Sequence, residues 1–121
     1  MKLERLEEIF SICKVKEIPQ ESLQDGVCFI AKTDEEISLV CTAKRVPAQT
    51  LARDDGWRGF RIQGILDFSL IGILSEISTV LARNHIGIFA ISTYNTDYIF
   101  TKEGDYQRAI RALLEVGYEI L

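Results

Sequence analysis

Histidine, methionine and tryptophan occur once each in this sequence, proline twice and cysteine three times. Each scarcity excludes something. A general base needs an orienting partner and a nucleophile within reach, and the single histidine, His85 between Asn84 and Ile86, shows neither. No GxGxxG, phosphate loop, GxSxG or HExxH pattern supplies catalytic machinery elsewhere. Cys13, Cys28 and Cys41 follow no CxxC or zinc spacing and sit in apolar, strand-like runs, so they read as small buried hydrophobes. The acids of Thr33–Glu36 have no further acidic residues clustered nearby and read as a solvated turn. Neither a metal nor a cofactor is expected. No apolar run reaches the roughly 18 residues of a membrane span and no signal-peptide pattern opens the chain, so a cytoplasmic protein without a membrane partner is expected. The 14 Lys and Arg residues are scattered against 18 Asp and Glu, for a net charge of −4. A phosphate backbone rewards clustered positive charge, which excludes nucleic acid as a partner.

What the chain does have is apolar patterning, with 47% hydrophobic residues. The centre is Asp67–Asp97, DFSLIGILSEISTVLARNHIGIFAISTYNTD. Leu70, Ile73, Leu74, Ile77, Val80 and Leu81 recur at the spacing of one buried helical face. Ser69 stands where a hydroxyl caps a first-turn amide, and Asp67 lies near the positive end of the same helix. Asn84, suited to the left-handed conformation, and Gly87 mark the exit. From Gly87 to Tyr94 the period changes to two, with Phe89, Ile91 and Thr93 on one face and Ile88, Ala90, Ser92 and Tyr94 on the other. Asn95 and Thr96 form a turn, and Asp97–Thr101 returns as a strand. Phe60–Leu66 alternates before the helix. After the returning strand, Asp105 opens a second helix with Tyr106, Ala109, Ile110, Leu113 and Leu114 as its stripe. Gly117 stops it, and Tyr118–Leu121 forms a last strand. The order β-α-β-β-α-β predicts an α+β, ferredoxin-like unit: an antiparallel sheet with two helices on one face.

On LDFSLIGILSEISTVLA (Leu66–Ala82) and GIFAISTYNTDYI (Gly87–Ile99), this unit resembles an ACT domain, a regulatory module that binds amino acids in many metabolic enzymes. It is most similar to small stand-alone tandem ACT-like proteins related to CASTOR-type arginine sensors. The resemblance implies a ligand held between the loop Asp67, Phe68, Ser69, Leu70, Ile71 and Gly72 and the strand Phe89, Ala90, Ile91, Ser92 and Thr93, with Asp97 beyond its end. The chemistry agrees in kind. Backbone amides at a helix start suit a carboxylate, Gly72 permits close approach, and Asp67 and Asp97 are acids available to an ammonium. The structural alternative is a plain cap at Asp67 or Ser69 and a turn residue at Asp97.

The chain before this unit is less explicit. Leu3, Leu6, Ile9 and Phe10 fit a short helical stripe, while Ile9–Ile18 alternates. The alternation and the family resemblance favour a strand over about Phe10–Lys16. Pro19 opens a short helical turn and Asp25-Gly26 a reversal. Val27–Ala31 and Ile37–Ala43 are strands, separated at Thr33–Glu36 by one helical turn or a tight reversal. Lys44–Gly56 reads as a linker, and Trp57 as a hinge or a buried plug. The expected division is therefore a degenerate ACT-like lobe at 1–56, packed with an ACT domain at 57–121.

Two functions of different class follow. One is an amino-acid-binding sensor without catalytic activity, taking a free amino acid or similar small zwitterion and acting through a homo-oligomer or a regulated protein partner. The other is a ligand-free oligomerisation or protein-interaction module using the same loop and strand.

Overall fold

The computed structural model describes every residue except Asp25 and residues 65–71. The described elements are β1 (Lys2–Arg5), β2 (Phe10–Val15), β3 (Phe29–Lys32), β4 (Ile37–Thr42), β5 (Ala52–Ile62), α1 (Ile73–Arg83), β6 (Ile88–Ser92), β7 (Asp97–Lys102), α2 (Tyr106–Glu115) and β8 (Glu119–Ile120). They fall into two compact units, Met1–Glu7 with Arg58–Leu121, and Glu8–Trp57. Met1–Glu7, grouped by sequence with the N-terminal half, thus belongs with the C-terminal unit.

The C-terminal unit is the expected α+β fold, with one addition. Its strands lie in the order β6-β7-β5-β1-β8. β1 is antiparallel to β5, with Leu3 opposite Ile62, and parallel to β8, with Leu3 opposite Ile120. The N-terminal strand therefore stands between β5 and the last strand. A helical stripe through Leu3 and Leu6 is not formed, because the open edge of β5 offers Lys2–Arg5 a hydrogen-bonding ladder and Leu3 a fully buried site.

Both helices bury their predicted stripes. Ile77 and Leu81 of α1 and Tyr106, Ala109, Ile110 and Leu113 of α2 join Leu3, Phe60, Ile62 and Ile99 in one core, with Ile73, Leu74 and Val80 packed against it. Leu114, expected in the α2 stripe, is exposed instead, and Ala112 is buried. The two helices end alike. The amides of His85 and Ile86 bond back to Ala82 and Leu81, and those of Gly117 and Tyr118 bond back to Leu114 and Leu113. This closure needs a left-handed residue after the cap. Gly117 supplies it at φ 101° in α2, and His85 at φ 57° in α1. The left-handed residue of α1 is thus His85 and not Asn84, whose side-chain amide donates to the Val80 carbonyl.

The N-terminal unit is a sheet of β3, β4, β2 and residues 52–57 of β5, antiparallel throughout. Cys13, Val15, Leu39 and Cys41 form its core, with Cys28, Ile37 and Val46 against them. All three cysteines are unbridged. The expected linker at Lys44–Gly56 ends early, since β5 begins at Ala52. β5 carries a bulge at Asp55-Gly56: the register against β2 shifts between Phe10 and Ile12, and Gly56 has φ 81°. Thr33–Glu36 is a tight reversal, in which the Thr33 hydroxyl accepts from the amides of Glu35 and Glu36. Pro19 caps a short 3-10 turn at Gln20–Leu23. Trp57 is half-buried.

Candidate functional site

The topology of the C-terminal unit gathers the candidate residues at one end. Thr96 lies beside Ile62, whose carbonyl accepts its hydroxyl at 2.7 Å, and Gly59 lies beside Ile99 and Phe100. β7 therefore runs antiparallel to β5 and, by its register, to β6. The carboxyl ends of β5 and β6 point the same way. Gln63 and Gly64, which follow β5, and the hairpin 93–96, which follows β6, share that end.

Of the loop residues, Gly72 is described. Asp67, Phe68, Ser69, Leu70 and Ile71 lie outside the described residues, as does the expected Ser69 cap. The cap position of α1 is occupied by Gly72, left-handed at φ 89°, and no side chain caps the helix. Its carbonyl accepts the Glu76 amide at 2.8 Å. Gly72 is exposed, and nothing stands within 4 Å of where a Cβ would be. The opening of α1 therefore presents backbone with no Cβ in front of it, at the positive end of an 11-residue helix.

The strand residues divide by face. Phe89 is half-buried and stacks on Phe100, with centroids 4.7 Å apart and planes at 16°. Ile91 and Thr93 are half-buried, while Ala90 and Ser92 are exposed. Ser92 donates a 2.5 Å hydrogen bond to Asp97 across the strand pair. The Thr93 hydroxyl donates to the Thr96 carbonyl and accepts from the Thr96 amide. The hydroxyl density of ISTYNTD thus closes the hairpin, and Thr96 ties it to β5. Tyr94 projects outward at 84% exposure.

Two residues that the sequence reading assigned no site role stand at the same end. A cavity of about 260 Å³ opens beside the first turn of α1, lined by Met1, Ile73, Glu76, Val116, Gly117 and Tyr118. Tyr118 is buried, and its hydroxyl donates a 2.6 Å hydrogen bond to Glu76 Oε1. Burial first, and then the Glu76 carboxylate, push this hydroxyl well above the usual tyrosine range, so it remains a donor. No cation pairs with Glu76 among the described residues. By sequence Glu76 is a polar residue on the outer side of the stripe, and 42 residues separate it from Tyr118. Only the tertiary fold reveals the pair.

Comparison with known proteins places the fold. Residues 52–115 match the sequence model of the ACT domain. A protein of Agobacterium tumefaciens of known structure is 31% identical, with a TM-score of 0.90 over 99% of this chain and 91% of that one. A Vibrio cholerae protein described as of unknown function and a "possible transport protein" is 22% identical, with a TM-score of 0.72 over 92% of this chain and 85% of that one. The aspartate kinase of Clostridium acetobutylicum, described as an allosteric enzyme, is 12% identical, with a TM-score of 0.62 over 88% of this chain but 32% of that one. At such identities the last two speak for the fold alone. A search of curated proteins found no match.

Proposed function

Because the chain belongs to the ACT-domain family, we propose that it is a regulatory module which binds a free amino acid and performs no catalysis. ACT domains generally bind amino acids in regulatory proteins. The observation that carries the proposal here is the opening of α1: Gly72 at the cap, no capping side chain, and a small cavity against the first turn. A zwitterion's carboxylate is served by first-turn amides. The cavity is below the roughly 300–1,000 Å³ of pockets for drug-sized ligands, which fits an occupant of amino-acid size. The contacts in this reading comprise the loop from Asp67 to Gly72 and the end of β6, with Asp97 held toward Ser92.

The finer parts of the reading are a kinship with CASTOR-type sensors, a cytoplasmic location, and a degenerate ACT-like origin for Glu8–Trp57. In support of the location, no helix among the described residues is long and apolar enough to cross a membrane. A second reading, a ligand-free module for self-association, is favoured by one observation. β6 pairs only with β7, leaving its other edge open among the described strands. A thermal-shift screen over the twenty amino acids separates the readings. A ligand at about 100 times its dissociation constant adds roughly 2.7 kcal/mol to stability, whereas the interaction module responds to none.

A further inference from the structure

We propose that Glu76, oriented by Tyr118, is the anionic wall that receives the ammonium group of an amino acid with an apolar side chain. This rests on the amino-acid-binding reading and adds to it a residue and a ligand class. Glu76 carries a carboxylate at the cavity beside the first turn of α1, and no Lys, Arg or His among the described residues pairs with it. Its Oε1 is held by a hydroxyl that remains protonated, so the pair keeps a net negative charge. Tyr118 is itself fixed, because its amide bonds to the Leu113 carbonyl and its body is buried in the core. The carboxylate is thus aimed by a rigid partner, while Oε2 takes no hydrogen bond from a described residue. A carboxylate with one oxygen satisfied and one available accepts a charge-assisted hydrogen bond from an ammonium. The remaining wall supplies the class. Ile73, Val116 and Met1 give the cavity apolar sides, which suit an aliphatic or thioether side chain and offer nothing to a second charge.

The reading differs from the sequence-based one in the acid it uses. Asp97 already accepts from Ser92 at the hairpin. Glu76 stands one turn from Gly72, so a ligand carboxylate at the helix opening and its ammonium at Glu76 need only the reach of one small molecule.

The test uses the full chain and the twenty amino acids, with four probes, L-valine, L-leucine, L-isoleucine and L-methionine, each set beside the carboxylic acid that lacks its amino group. Binding is followed by calorimetry for the wild type, Glu76→Gln and Tyr118→Phe, with circular dichroism confirming that each variant folds. The expected result is that the wild type binds at least one probe about tenfold or more tighter than its deaminated acid. E76Q is expected to abolish that preference by weakening the amino acid, while the deaminated acid, freed of a like charge, binds no more weakly than before. Y118F is expected to narrow the preference by a smaller factor, which a merely structural staple would not do. An unchanged preference in folded E76Q overturns the role of Glu76, and the amino-acid reading then survives it. Binding of charged amino acids alone overturns the ligand class. Absence of binding by all twenty amino acids overturns the underlying reading and this inference with it.

Discussion

The ring of Phe100 lies directly over Gly59, so that a Cβ on Gly59 would stand 2.7 Å from two ring carbons. The glycine is required by that approach and not by backbone conformation. Its carbonyl accepts from the Leu6 amide at 2.9 Å and from the Tyr106 hydroxyl at 2.7 Å, which ties β1 and α2 to β5 at one residue. Gly59→Ala forces Phe100 off its stack on Phe89. Overpacking of this kind costs about 1–3 kcal/mol, to be read from urea unfolding. Gly104→Ala is the control: nothing stands within 4 Å of its Cβ position, and a change within about 0.5 kcal/mol is expected.

The two helix ends make a paired prediction. His85 occupies in α1 the left-handed position that Gly117 occupies in α2. A side chain there costs roughly 1–2 kcal/mol. His85→Gly is therefore expected to raise stability by about 0.5–1 kcal/mol and Gly117→Ala to lower it by about 1 kcal/mol, both measured by thermal unfolding.

Leu3 tests the place of the N-terminal strand. It is fully buried between Ile62 and Ile120. Leu3→Ala is expected to cost about 2–5 kcal/mol, the range for a truncated core leucine. Leu51→Ala, at 63% exposure, is expected to change stability by less than about 0.5 kcal/mol. Equal effects would place Lys2–Arg5 outside the sheet.

Alkaline stability follows from Tyr106 and Tyr118. Burial is the first cause of the upward shift in both hydroxyls, and at Tyr118 the Glu76 carboxylate adds to it. The folded state then holds these protons more tightly than the unfolded chain. Their contribution is complete below the unfolded tyrosine value of about 10 and is lost as pH rises above it. Stability is expected to fall steeply above about pH 10, and less steeply in Tyr118→Phe. Thermal melts at neutral and alkaline pH check this, and equal slopes for the two proteins would contradict it.

The fold was legible wherever periodicity and stop signals agreed. Ile73, Ile77 and Leu81 announce α1, Tyr106, Ile110 and Leu113 announce α2, and Gly117 ends the latter where a sequence rule puts it. The failures share a cause, because each depends on a partner distant in the chain. Leu3 and Leu6 fit a helix until β5 offers an edge, and residues 52–56 fit a linker until β2 is aligned against them. For the proposed site the sequence names a region. Gly72 and the end of β6 were named from the sequence, and they belong to elements that open at one end of the unit. Glu76 and Tyr118 were not, since a hydrogen bond across 42 residues has no sequence signal.

The most direct test is a titration of the isotope-labelled protein with each of the twenty amino acids at millimolar concentration, followed by amide NMR. The account predicts saturable shifts for at least one amino acid, concentrated at Gly72, Ile73, Leu74 and Glu76. Shifts absent for all twenty, or saturating only at residues of Glu8–Trp57, would contradict it.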